Sequence, residues 1–270
     1  MKRQIARVLM ACLVCSGPPL VLAQSTEPPP LVKIVREDMK PGKSAAHEKT
    51  ENAFARAFSK TKFPNHVAWE AISGQSQVWF VEGYDSYAGI EAASKIAGAE
   101  PLKSTLGQLE VEDSELRTGE RTLIARYQKS LSYAPTPFNL AKAHFVWVEV
   151  VQVRTGYVQE FAEWHNIEHA AFQKAGETMT EMVYRVSEGA PLATYIVAWP
   201  MESLKALDED AKVPWNTREA MGEGYERHRQ LNKDIFVSRE HILFAVNPKM
   251  SNPPKAYVEA DPDFWAPKPK

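Results

Sequence analysis

Hydrophobic and polar positions alternate along the chain in a fixed order of strand-like and helix-like patterns. A β-rich run over residues 31–36 leads through Pro41 and Gly42 into a helical pattern, and two β-rich runs, VAWEAIS and QVWFVEG, follow with a Gly-containing turn between them. The helical segment YDSYAGIEAASKIAG, a polar helical stretch over residues 101–120 and the strand-like run TLIARYQ come next. This order predicts a β-α-β-β-α-β unit over residues 31–127.

The same order of elements occurs a second time. It runs through FVWVEVVQV, the helical segment YVQEFAEWHNIEHAAFQKAG, the hairpin formed by EMVYRVSEG and ATYIVAWP, two more helical segments and the final strand HILFAVN. Aligning HEKTENAF with HNIEHAAF places His47 on His165 and Phe54 on Phe172, at a shift of 118 residues. Residues 145–250 are therefore interpreted as a second copy of the unit.

Polar, Pro-rich segments separate and flank the two copies. Residues 24–30 form a leader, residues 128–144 a linker, and residues 251–270 a tail with five prolines. The tail is expected to run over the surface as an extended strap. Its aromatic residues either dock on the fold or remain disordered.

Residues 1–23 have the three parts of a secretory signal peptide. A basic start, MKRQIARV, precedes a short apolar run that ends at Ala23, and cleavage is expected there. The run is short and interrupted by proline, so no stable membrane insertion is expected, although an uncleaved anchor is the alternative. These features predict a periplasmic or secreted protein. Because Cys12 and Cys15 both lie in this segment, the mature chain has no thiol nucleophile and no disulfide.

Composition narrows the classes of function. The chain is 44% hydrophobic and 24% charged, with a formal net charge of −2, which is ordinary for a globular protein. No basic run reaches the density of a nucleic-acid footprint, so nucleic acid is not an expected partner. The sequence also has no phosphate-binding glycine loop, no G-x-S-x-G elbow and no dinucleotide fingerprint.

A duplicated β-α-β-β-α-β unit is the ferredoxin-like motif. In each copy an acidic residue and a serine open a helix after the third strand, in VEGYDSYAGIEAA and VAWPMESLKAL. These features resemble the dimeric α/β-barrel superfamily, which includes NIPSNAP-like and antibiotic-biosynthesis-monooxygenase-like domains. The resemblance implies an α+β fold in which two fused ferredoxin-like repeats form a barrel-like sheet pair with helices outside. It also implies a monomer or a homodimer. Members include oxygenases, isomerases, haem enzymes and binding domains, so the cofactor stays unknown.

The helix predicted over residues 157–175 carries titratable groups on its apolar face. His165 and Glu168 lie in the middle of that face, and His169 lies on its edge. A buried carboxylate needs a partner. One interpretation is therefore a structural His–Glu pair, and the other is a pocket in which His165 acts as acid or base and Glu168 orients it.

Under the second interpretation, the protein binds a small organic molecule beneath this helix, and whether it also transforms that molecule, as an enzyme, stays open. The candidate ligand-binding residues are His47, Phe161, Trp164, Trp147 and Tyr184. The rival hypothesis is a non-catalytic envelope or interaction protein with structural buried histidines. His66 and His228 are expected at the surface.

A metal site is the third possibility. The segment His165-Asn166-Ile167-Glu168-His169 matches the H-x-x-E-H pattern. In that pattern two histidines hold zinc and the glutamate activates water. His165 and His169 are thus candidate metal ligands of a metal-dependent hydrolase. The candidates for a third ligand are Glu219, Glu223 and Glu226.

Overall fold

A computed structural model describes residues 27–210 and 218–266. The predicted signal peptide lies outside the described residues. The first half contains β1 (Leu31–Met39), α1 (Ser44–Phe58), β2 (His66–Ala71), β3 (Gln77–Tyr84), α2 (Tyr87–Ala97), α3 (Leu102–Ser114) and β4 (Arg117–Tyr127).

The second half repeats this succession. It contains β5 (Phe145–Val153), α4 (Val158–Ala175), β6 (Met182–Glu188), β7 (Thr194–Met201), α5 (Lys205–Asp210), α6 (Gly224–Asp234) and β8 (Phe236–Val246). Two short helices follow, α7 (Lys255–Ala260) and α8 (Pro262–Trp265). None of the described helices is both long enough and apolar enough to cross a membrane.

The eight strands form one closed antiparallel barrel in the order β1-β3-β2-β8-β5-β7-β6-β4. Within each half the order is that of a ferredoxin-like sheet. The two sheets join through β2 against β8 and β4 against β6, so each free edge of one sheet pairs with an edge of the other. The predicted α+β fold of two fused ferredoxin-like repeats with helices outside is confirmed.

The period-two pattern of the strands creates two layers of packing. On β5, Val146 and Val148 face the barrel interior, whereas Val151 and Val153 pack outward against α4. α4 ends at Gly176, whose φ of +75° is the left-handed conformation that glycine adopts without strain. The region between the outer sheet face and α4 is therefore a core of its own.

The predicted helix starts after the third strands are also present. Ser86 caps α2 by accepting a hydrogen bond from the backbone N–H of Gly89. In the second half, Ser203 Oγ accepts one from the backbone N–H of Lys205 at 3.2 Å. Both serines come from the acidic-Ser pairs of the sequence pattern.

The C-terminal segment forms α7 and α8 instead of the extended strap that was expected. Trp265 is buried, and its Nε1–H donates to the carbonyl of Ala141 at 2.6 Å. His144 stacks on Phe264 with 3.9 Å between ring centroids, and its Nε2 lies 2.8 Å from Asp261 Oδ2. The described tail aromatics thus dock on the barrel, because burial of these rings outweighs the extended preference of the prolines.

Candidate functional site

A cavity of about 620 Å³ lies between α4, α6 and the outer face of the second-half sheet. Trp147 on β5 and Trp199 on β7 are directly paired in register, with 4.7 Å between ring centroids. The aromatic part of the lining comprises Phe138, Trp147, Trp164, Phe172, Trp199 and Tyr225. The cavity is called the α4 cavity below.

Polar groups enter the α4 cavity from four elements. Glu149 on β5 accepts a hydrogen bond from Arg239 on β8, and it lies 2.8 Å from Nε2 of His241. Glu168 on α4 lies 3.8 Å from Nε2 of His228 on α6, which is too far for a hydrogen bond. Burial, reinforced by the nearby charge of Glu181, raises the pKa of Glu168 well above its ordinary value. The cavity therefore combines a flat aromatic surface with closely spaced titratable groups.

Two buried nitrogens at this cavity have no hydrogen-bond partner among the described residues. They are Nε1 of Trp164 and Nε2 of His228. The two rings stack on each other with 4.9 Å between centroids. Burial lowers the pKa of His228 to about 4. A buried donor without a partner costs roughly 1–3 kcal/mol, so both atoms need a further group to bind.

A second group of titratable residues lies beside the cavity. Oε1 of Glu181 is 3.2 Å from Nδ1 of His165 and 2.9 Å from Nε2 of His169. Although burial alone would raise the pKa of Glu181, the two imidazole rings lower it below its ordinary value of 4.5. Both ring nitrogens of His165 are buried without an aligned hydrogen-bond partner among the described residues. We call these three residues the His–Glu–His group.

The linker positions Glu181. Tyr133 forms an isolated antiparallel bridge with it, in which the two backbone hydrogen bonds measure 3.0 and 2.7 Å. Ser132 Oγ accepts from the backbone N–H of Val183 at 2.9 Å. The Tyr133 ring also lies 5.3 Å from the ring of His169. The segment over residues 128–144 is therefore part of the site.

Three of the predicted site residues, Trp147, Trp164 and Glu168, line the α4 cavity. His165 lies behind Glu181 and does not line it, and its nearest carboxylate is Glu181 instead of the expected Glu168. Phe161 is fully buried, and it packs on the rings of His165 and Tyr195 with 4.6 and 4.5 Å between centroids.

Tyr184 lies on the other face of the sheet. It lines a separate cavity of about 620 Å³ inside one end of the barrel, together with Met182 and Trp265. Its hydroxyl donates to the carbonyl of Pro29 at 3.2 Å. The structure therefore does not bring Tyr184 together with His165.

His47 occupies the first-half counterpart of the His165 position, in different surroundings. Its Nε2 lies 2.7 Å from Oε2 of Glu37 and 3.7 Å from Oδ1 of Asp113. Nη1 of Arg117 donates to the other oxygen of Glu37 at 2.7 Å. Burial raises the pKa of Asp113 to about 6, and burial with the neighbouring carboxylates raises that of Glu51. This first-half cluster is an ion-pair network.

The surface placement expected for His66 and His228 is wrong. His66 is buried, and its Nε2 lies 3.1 Å from the carbonyl of Met250. Burial lowers its pKa. His228 is half-buried at the α4 cavity. Both histidines stand in stretches with a weak apolar pattern, and tertiary contacts bury them.

The third metal ligand expected from the sequence is also wrong. Glu219, Glu223 and Glu226 are exposed. Among the described residues, the carboxylate whose oxygen lies near both His165 and His169 is Glu181. The available signal was Glu181 itself, the first residue of the predicted strand EMVYRVSEG, since a charged residue at the start of an apolar strand needs a partner.

The sequence matches no known family profile, and no curated protein is similar to it. Solved structures do share its fold. An anthrone oxidase-like protein superposes with a TM-score of 0.57 at 12% identity, covering 83% of this chain and 94% of that one.

Two further similar structures carry provisional monooxygenase assignments. The protein from Fusobacterium nucleatum has a TM-score of 0.52 at 12% identity, covering 81% of this chain and 93% of its own. The protein from Lactobacillus acidophilus NCFM has a TM-score of 0.50 at 9% identity, covering 81% and 94%. At such low identity the shared property is the fold. The chain therefore has the dimeric α/β-barrel fold, built here from two ferredoxin-like repeats in a single polypeptide.

Proposed function

We propose that this protein binds a small organic molecule with a flat body in the α4 cavity. The observation that carries the proposal is a cavity of about 620 Å³, walled by three tryptophans, in which the buried N–H of Trp164 has no partner among the described residues. Pockets for small organic ligands typically measure about 300–1,000 Å³ and combine apolar walls with a few polar groups.

The lining indicates the class of ligand. Trp147, Trp164 and Trp199 favour an aromatic or otherwise planar body, and the Trp164 N–H requires an acceptor such as a carbonyl or ether oxygen. The lining carries five glutamates and two arginines, of which Arg239 is already bound to Glu149. An excess of carboxylates disfavours an anion. The proposed ligand is therefore neutral or cationic.

Binding, not a named reaction, is the function that this geometry supports. His165 does not line the cavity, so it does not contact the ligand in this proposal. Glu168 does line it and lies beside the unpartnered Nε2 of His228, so these two groups contact the polar part of the ligand. The similar structures bear oxidase and monooxygenase names, and only the expectation of an organic ligand is extended from them to this chain.

Native mass spectrometry of the purified protein tests the proposal. We expect a non-covalent organic adduct on the wild type, or saturable binding of the neutral planar dye Nile red where no molecule is retained. Trp164→Phe keeps an aromatic ring, although a smaller one, and removes the indole N–H, so it should weaken retention of the adduct. For the dye, which needs the aromatic wall, Trp199→Ala should weaken binding.

The matched control is Trp69→Phe, which makes the same change beside the barrel interior. A ligand that is lost in Trp69→Phe and kept in Trp164→Phe would belong to the barrel interior and would contradict the proposal. An unliganded wild type that also fails to bind the dye would contradict it as well.

A further inference from the structure

We propose that the His–Glu–His group binds one divalent transition-metal ion, with His165, His169 and Glu181 as its protein ligands. The inference goes beyond the proposed function and does not depend on an organic ligand. Two imidazoles and a carboxylate suit first-row ions such as Zn²⁺, Fe²⁺, Mn²⁺ and Co²⁺.

The distances within the group fit an ion. The carboxylate Oε1 lies 3.2 Å from Nδ1 of His165 and 2.9 Å from Nε2 of His169. One ligand atom from each of the three residues lies within 4.8 Å of the others. Ligand atoms bonded to one metal ion at about 2.0–2.2 Å are separated by roughly 3.0–3.5 Å. The three side chains therefore need only small movements to surround an ion.

His165 supplies an independent observation. Its side chain is 2% exposed, and neither ring nitrogen has an aligned hydrogen-bond partner among the described residues. Its Nδ1 lies 3.2 Å from Oε1 of Glu181, but not in the direction that a hydrogen bond requires. Buried imidazole nitrogens without partners are costly, and a metal ion at Nδ1 would give that atom a ligand bond.

A comparison of the charges in the two halves also supports a metal ion. At the start of β4, Arg117 pairs in register with Met39 and places its guanidinium among the first-half carboxylates. Phe236 occupies the matching place at the start of β8, where it pairs with Val153. Arg239 lies 4.5 Å from the Phe236 ring but pairs with Glu149. No lysine or arginine of the described residues pairs with Glu181, so a bound ion would supply the positive charge there.

The ligands are held in place before any ion arrives. His165 and His169 are one helical turn apart on α4, so their rings project from the same face. The Tyr133 bridge fixes the backbone of Glu181. Since Glu181 also lines the α4 cavity, coordination positions not used by the protein would open toward that cavity.

Cobalt titration of the full chain, after chelator treatment and without any added organic ligand, tests the site. We expect visible ligand-field absorption that saturates at one Co²⁺ per chain, and calorimetry with Zn²⁺ should give the same stoichiometry. Glu181→Gln and His169→Gln should each weaken binding at least about tenfold. The matched control is His144→Gln, which removes another His–carboxylate pair, with Asp261, and should leave binding unchanged.

Circular dichroism shows whether each variant is folded. If a variant unfolds, a measurement on the wild type takes its place. Co²⁺ should shift the imidazole NMR signals of His165 and His169, but not those of His144. A folded wild type without saturable Co²⁺ or Zn²⁺ binding would overturn the inference, as would folded Glu181 and His169 variants that bind like the wild type. Because no organic ligand is present, failure here is separate from failure of the proposed function.

Discussion

Each half of the barrel has a buried histidine on its first helix, His47 on α1 and His165 on α4. The surroundings of the two histidines differ. His47 contacts Glu37 in a network that Arg117 completes. His165 stands beside Glu181 with no aligned hydrogen bond among the described residues. In the first half the histidine is hydrogen-bonded through Nε2 to Glu37, within an ion-pair network that includes Arg117. In the second half it keeps unused ligand capacity, which is typical of a binding site and not of a structural pair.

The cavities beside the two histidines also differ, in volume. The first-half cavity measures about 280 Å³, and the α4 cavity about 620 Å³. The charge network closes the space between α1, α3 and the sheet, whereas tryptophans wall the wider space of the second half. A repeated fold can therefore keep the position of a side chain while its surroundings change from an ion-pair network to an aromatic-walled cavity.

Removal of Arg117, the cation of the first-half network, should cause the largest loss of stability. Arg117→Met leaves Glu37 and Asp113 as buried carboxylates without their cation, and loss of one partner of a buried ion pair costs about 3–5 kcal/mol. Urea unfolding measures this loss. Arg227→Met, which removes an exposed pair with Glu163, should cost under about 1 kcal/mol. Equal losses for the two variants would show that the network is not structural.

Addition of metal should stabilise the protein through the second half alone. Zn²⁺ at 100 times its dissociation constant should raise the free energy of unfolding by about 2.7 kcal/mol. Thermal unfolding of the wild type and Glu181→Gln, each with and without Zn²⁺, measures the effect. Glu37→Gln should keep it. A gain that survives in Glu181→Gln would place the ion elsewhere.

The same substitution in each half should have unequal effects on metal-free protein. His47→Gln loses a hydrogen bond to a carboxylate, which is worth about 1.5–3 kcal/mol. His165→Gln loses no aligned hydrogen bond, so its cost should be under about 1.5 kcal/mol. Urea unfolding in the presence of a chelator compares the two variants, and a larger loss for His165→Gln would reverse the assignment of structural and functional halves.

The smallest expected effect is a pH dependence in the first half. The folded-state pKa of Asp113, about 6, lies above its ordinary value of 3.8 because of burial. The folded state thus binds more protons between these two pH values, and wild-type stability falls as the pH rises through that window. The charged groups that face this carboxyl are Glu37, His47, Glu51, Glu110 and Arg117.

Asp113→Asn should remove this contribution. The melting temperature of the variant relative to the wild type should therefore rise by a few degrees between pH 4 and 7. Asp263→Asn, at an exposed position, is the control and should show no such trend. A difference for Asp113→Asn that stays constant with pH would show that its carboxyl does not titrate in this range.

The sequence alone predicts the order of the elements, because alternating strands and helical stripes are local patterns and their repetition identifies the duplicated unit. It also places His165 on the buried face of its helix. It does not identify Glu181 as the partner, since that contact depends on the Tyr133 bridge between segments far apart in the chain. Alternation separates Val183 from Tyr184, but only closure of the barrel decides which of the two faces the interior.

Because the barrel closes within one polypeptide, its two halves can diverge in sequence. In a barrel assembled from two identical chains, each substitution appears in both halves at once. Here β2 pairs with β8 and β4 with β6 inside a single chain, so each copy of the repeat can accumulate its own substitutions. Here one copy has an arginine within a buried charge network, and the other has a phenylalanine at the matching position and a wider cavity beside it.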